Sequence, residues 1–211
     1  MISNNISFKG IPIAKARVMD KNITLYKLTE RDREFADALT DKLNLKELMS
    51  GLSELDYKVW KDITNRGLLE SFRRGCTSIL ATIDKKPCGV LNHIEPRNKC
   101  VVNFISTWPI EKNKKPPFVC KTLLSNLFTK ILKTDCNFVE LLAVKYGPFS
   151  AISKYMQMGF RSVGGDNLFE NMSINRERMT KALSQTKELI ELEPIKNAPE
   201  EDLLKALKLP E

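Results

Sequence analysis

Residues 114–124, KKPPFVCKTLL, set two lysines and two prolines at the mouth of a run with helical spacing. Phe118, Val119, Thr122 and Leu123 fall three and four apart and share one face. A helix start is an anion site, because its leading N–H groups lack intrahelical acceptors and the positive end of the dipole lies there. Lys112, Lys114 and Lys115 add charge, whereas Pro116 and Pro117 remove two donors. The chemistry on offer is phosphate binding; the same residues also suit a capped amphipathic helix behind a solvated lysine run. His93, the single histidine, lies in a β-type run and suits either a base near neutral pH or a structural strand position. No Ser-His-Asp order or Walker-type loop competes, GPFSA lacks the spacing of a nucleophile elbow, and one histidine argues against a metal centre.

These residues need a scaffold, and the composition allows one. At 211 residues and 42% hydrophobic content, the chain suits one domain, or one domain with a tail. Five widely spaced cysteines without a CxxC pair speak against a disulfide framework and a zinc site. Neither a signal-type apolar run at the start nor eighteen consecutive apolar residues occurs, so the reading is a cytoplasmic protein with no membrane partner. The net charge of +8 favours anionic partners such as a phosphate-rich cosubstrate, or serves solubility; nucleic acid fits the charge but no recognition motif accompanies it.

The periodicity orders the elements. NITLYKLTERD reads as a strand running into a helix start, and residues 33–74 as two or three helices punctuated by Gly51 and Gly67. Period two then takes over at 78–83, 89–94 and 100–107, separated by DKKP and EPRNK, which gives an antiparallel meander. A helix over 118–133 follows, then NFVELLAVKY as a strand buried on both faces, a short helix ending at Gly159, and a hairpin around GGDN. A helix over 175–192, a linker EPIKNAP and a terminal helix EEDLLKALKL complete the chain. That last helix is marginal alone, so it docks on its own domain or on a partner subunit, a homo-oligomer being one arrangement that satisfies it.

From about Ile23 to Ile174 this order resembles the GNAT acyl-CoA N-acyltransferase superfamily. ITLYKLTERD is similar to the family's first strand, ATIDKKPCGV to its second hairpin with Gly89 in the usual place, and FISTWP to the end of its fourth strand with Pro109. The most specific piece is LAVKYGPFSAISKYMQMGF, in which Ala151, Ile152, Tyr155, Gly159 and Phe160 keep the family's register. The resemblance implies a mixed α/β (α+β) fold: a mostly antiparallel central sheet with helices on both faces and a C-terminal helical extension. The implied division is an N-terminal extension at 1–21, the acyltransferase domain at 22–174 and the extension at 175–211.

The resemblance also implies acetyl transfer from acetyl-CoA to a primary amine by direct attack. Tyr155 takes the position of the proton donor to the departing thiolate. The family's pyrophosphate site falls on Lys114, Lys115, Phe118, Val119, Cys120 and Lys121, although Phe118 and Cys120 stand where glycine is usual. Backbone N–H groups of Ser106, Thr107 or Trp108 would meet the thioester. The fourth strand, VVNFISTW, lacks the acid that many relatives use as base, so Glu140 on the next strand is the candidate, with Glu111 and His93 behind it. The rival reading is a GNAT-like fold without catalysis, serving as an interaction module.

Overall fold

The computed structural model describes residues 10–145 and 150–210. Nine strands form one sheet in the order β7-β8-β6-β5-β4-β3-β2-β1-β9. They are β1 (Ile11–Val18), β2 (Lys21–Leu28), β3 (Thr77–Ile83), β4 (Lys86–Ile94), β5 (Lys99–Thr107), β6 (Phe138–Val144), β7 (Arg161–Gly165), β8 (Phe169–Asn175) and β9 (Glu191–Pro194). All neighbouring pairs are antiparallel except β5 and β6, which run parallel.

Each face of the sheet has its own apolar layer. On one face lie α4 (Val119–Ile131), α5 (Ile152–Gln157) and α6 (Arg176–Thr186), closing a core that includes Ile23, Leu91, Leu127, Phe128 and Phe160. On the other lie α1 (Arg33–Lys42), α2 (Leu45–Leu48), α3 (Glu54–Leu69) and α7 (Leu203–Ala206), around Phe35, Leu68, Leu80 and Trp108. Ser53 caps α3 by accepting from the Asp56 N–H, and Asn175 caps α6 by accepting from the Arg178 N–H. The meander of β3, β4 and β5 falls where period two places it. Its first turn holds Asp84 and Lys85 at φ 50° and 67°, the geometry of a two-residue hairpin.

Three expectations need correction. β6 is buried on one side only: Val139, Leu141 and Ala143 face the core, but Leu142 is 59% exposed and Phe138 is exposed too, because no helix among the described residues covers that part of the opposite face. Residues 191–194 are a strand, not a helix end and linker; α6 stops at Thr186 and β9 pairs with β1. Part of the residues expected as an N-terminal extension forms β1, which lies between β2 and β9. No helix among the described residues is long and apolar enough to cross a membrane.

Candidate active site

The parallel pair opens into a crevice. β5 and β6 are in register only from Lys99 opposite Phe138 to Val102 opposite Leu141. Beyond that point β5 continues to Thr107 paired with β4 alone, and β6 continues to Val144 paired with β8 alone. The cause sits in β5: Val102 lies opposite His93 and Phe104 opposite Asn92, so Asn103 is an extra residue. Such a bulge bends its strand and increases twist, which turns the end of β5 away from β6.

The first turn of α4 stands at the mouth of this crevice. Gly89 lets it come close: a Cβ there would lie 2.9 Å from Val119 Cγ1 and 3.1 Å from the Ser106 carbonyl oxygen. Phe118, the residue before the helix, adopts φ 61° and ψ 5°. That left-handed conformation costs a non-glycine residue about 1–2 kcal/mol, so the backbone keeps a glycine's shape without the glycine. The N–H groups of Val119, Cys120 and Lys121 have no acceptor among the described residues; the first bond of the helix is from the Thr122 N–H to the Phe118 carbonyl, 2.8 Å. The Thr122 hydroxyl is buried and without a partner among them.

Charge around this turn is unbalanced. Lys115 lies with Nζ 5.6 Å from the Trp60 ring centroid on α3. Burial and then repulsion from Lys154 of α5 pull its pKa below the ordinary lysine value. Neither lysine has a carboxylate partner among the described residues. Burial pushes the Cys120 thiol up to about 11, while the charges of both lysines oppose that shift. The open N–H groups of this first turn, with two cations nearby that lack a carboxylate partner among the described residues, make an environment suited to an anion.

Tyr155 is held by the end of its helix. The Phe160 N–H donates to the Tyr155 carbonyl at 3.1 Å and the Gly159 N–H to the Met156 carbonyl at 2.9 Å, with Gly159 at φ 93°. This is a Schellman close. It brings Phe160 back against Tyr155, ring centroids 5.8 Å apart and edge-on. Burial, with the charge of Cys120 second, raises the phenol pKa well beyond its ordinary value. The hydroxyl therefore keeps its proton at neutral pH, and no residue among those described takes it as a hydrogen bond.

The other expected site residues lie differently. Trp108 is fully buried in the second core; its backbone N–H donates to the Cys88 carbonyl at 3.0 Å and its indole N–H to the Pro87 carbonyl at 2.9 Å, so it offers no donor to a ligand. Ser106 lies on β5 past the bulge, its hydroxyl 2.7 Å from that of Thr64 on α3, and Thr107 ends the strand beside Gly89. Lys114 is matched by Glu111 at 2.9 Å, and Lys121 leans over the Phe118 ring at 5.7 Å. Glu140 lies opposite Val101 where the strands still pair, and it accepts from Lys99 Nζ at 2.8 Å. It is tied up short of the crevice and on the opposite side of the sheet from Tyr155. Lys154 and Thr64 were not singled out from the sequence: one lies in a short helix with no charge pattern, the other on a helix remote in sequence from its partner. Tyr146, Gly147, Pro148 and Phe149, inside the motif that carried the resemblance, lie outside the described residues. Among those described, no cluster of three or more His, Cys, Asp and Glu forms that could hold a metal.

His93 is no base for this site. It sits beside Lys130 in the last turn of α4, and at about 1.5 Å per residue that is about 16 Å from Val119. Its ring is fully buried, with Nε2 3.1 Å from Glu95 and 3.2 Å from Lys130 and Nδ1 without a partner among the described residues. Burial first, then Lys130, lower its pKa from 6.5 to about 4. The unfolded chain thus binds the proton that the folded one refuses. Stability contributed by the neutral ring is present above pH 6.5 and is lost as pH falls toward 4, on the order of 3 kcal/mol. Urea melts at pH 7.0 and 4.5 should show that loss in the parent and most of it gone in His93→Gln; an equal loss in both would assign it to carboxylates.

Scans of the sequence against family models and against curated proteins gave no match. Solved structures did match. The PaiA N-acetyltransferase of Thermoplasma acidophilum, in complex with coenzyme A, is 18% identical with a TM-score of 0.51, over 72% of this chain and 98% of that one. An aminoglycoside 6'-acetyltransferase type Ii is 13% identical with a TM-score of 0.52, over 72% and 96%. An uncharacterized protein of Bacillus halodurans is 12% identical with a TM-score of 0.55, over 86% and 98%. Nearly the whole of each of those chains superposes on this one. This chain has the fold of the GNAT superfamily.

Proposed function

We propose that the chain is an acyl-CoA-dependent N-acyltransferase that moves an acetyl group from acetyl-CoA to an amine. The observation that carries this reading is the bulged end of β5 beside a helix start where, among the described residues, three N–H groups have no acceptor and two lysines have no carboxylate partner. A pyrophosphate fits that donor set: Val119, Cys120 and Lys121 would hold it through backbone N–H groups, with Lys115 and Lys154 supplying charge. Acetyl-CoA supplies the activated acyl group. Tyr155 Oη supplies the proton that the departing sulfur needs, being protonated at neutral pH and without a hydrogen-bond partner among the described residues. The amine's own proton leaves to water or to a group of the acceptor, since Glu140 is engaged by Lys99.

Calorimetric titration with coenzyme A tests the reading. Binding should be weak and salt-sensitive, because it rests on charge and open N–H groups. Charge reversal of Lys115 and Lys154 together should weaken it by roughly tenfold or more. Phe118→Gly should strengthen it a few-fold by removing bulk and the left-handed penalty at once. Absence of binding to both the parent and Phe118→Gly would sink the enzyme reading and leave an interaction module on the same fold.

A further inference from the structure

A groove separate from the crevice lies between the α1–α2 corner, the start of β4, the loop after β5 and residues 208–210, with a volume of about 740 Å³. The Lys208 N–H donates to the Lys85 carbonyl at 2.8 Å and pins the chain end against the hairpin to make one wall. Of the residues considered from the sequence for the cosubstrate it shares Trp108 and Lys112, and neither Lys115 nor Lys154 lines it. Both N–H groups of Trp108 are spent on carbonyls, so that part of the floor is apolar.

Four cations reach the rim from four separate elements: Lys42 ends α1, Lys86 begins β4, Lys112 lies in the loop after β5, and Lys208 belongs to the chain end. Among the described residues Glu47 is the one acid on the wall. None of the four lysines has a carboxylate partner among the described residues, although Lys46, Lys114 and Lys205, close to them in sequence, each have one. Like charges around one concavity repel one another and focus a positive potential into it. Leu43, Ile110 and Leu209 line the same space with apolar surface.

We propose that this groove binds an organic anion: a phosphate, sulfonate or carboxylate head among the lysines and an apolar body against the floor. The probe is 1-anilinonaphthalene-8-sulfonate, which has both parts, read by its fluorescence with the full chain. Saturable binding to the parent is expected, weakened at least about tenfold in the Lys86→Glu/Lys112→Glu double variant and steeply reduced by salt. Lys112 is exposed and Lys86 is half-buried at the first position of β4, and neither has an ion-pair partner among the described residues, so circular dichroism and the melting temperature should match the parent.

The uncharged N-phenyl-1-naphthylamine should bind at least about tenfold more weakly than the sulfonate. Equal affinity of the two probes would reduce the groove to an apolar patch. Equal affinity of parent and double variant, or displacement of the sulfonate by coenzyme A, would place the probe elsewhere; either result overturns the proposal. The coenzyme A titration is run separately, so failure here leaves the acyltransferase reading untouched, and the converse also holds.

Discussion

Tyr155→Phe should lower acetyl-CoA-dependent thiol release with a panel of amines by roughly 10²- to 10⁴-fold while coenzyme A affinity stays within about twofold. The substitution removes one oxygen. The ring keeps its edge-on contact with Phe160 and its place in the core, and no hydrogen bond to a described residue is lost. Melting temperature should therefore stay within about 2 °C of the parent's, since a hydroxyl that makes no hydrogen bond to a described residue contributes little to stability. The raised pKa makes a second demand: the parent's rate should show no loss from tyrosine ionisation up to about pH 10, the ordinary phenol value. Turnover equal to the parent's with a verified acceptor would reject Tyr155 as the proton donor.

Removing residues 200–211 should cost about 3–6 kcal/mol. Leu203 of α7 is fully buried and Leu207 nearly so, both in the core with Phe35 and Trp108. Burying each side chain stabilises by about 1.5–3 kcal/mol. The cut also removes Glu201, whose N–H donates to the Gly10 carbonyl at 2.8 Å and whose carboxylate accepts from the Tyr26 hydroxyl at 3.3 Å. Against a usual stability of about 5–15 kcal/mol this is a large fraction, and the melting temperature should drop by roughly 10 °C or more. Leu203→Ala in the full chain should reproduce about 2–5 kcal/mol of the loss by opening a cavity. A truncated chain that melts with the parent would show the terminal helix to be a free appendage.

The parts legible in the sequence are those where one local rule spoke alone. Period two with turn residues gave the meander, proline at a helix mouth gave α4, and Gly159-Phe160 gave the close that holds Tyr155. β1 was not legible, because IPIAKARV alternates alanine with lysine and arginine, carries Pro12, and turns into β2 through Met19 at φ 55°, where no turn chemistry signals a hairpin. β9 was hidden for a similar reason: ELEP is acidic, ends in proline and acquires strand character only from its partner. At the site, Lys115 could be found because it adjoins the proline pair. Lys154 could not, since its role comes from a helix packed across the crevice. Glu140 was misplaced because the sequence does not say where two parallel strands part, and Trp108 because it does not say which core an aromatic residue at a strand end will enter.

The pairing of β1 with β9 sets Ala14 against Pro194 and Arg17 against Glu191. A ribosome adds about 5–20 residues per second, so roughly 10–35 s of synthesis separates those partners. During that interval β1 can pair with β2, but its other edge stays open. Lys15 and Arg17, both exposed on that edge strand, keep a nascent neighbour from adding to it. The charges that made β1 hard to read as a strand thus guard it on the ribosome until β9 emerges.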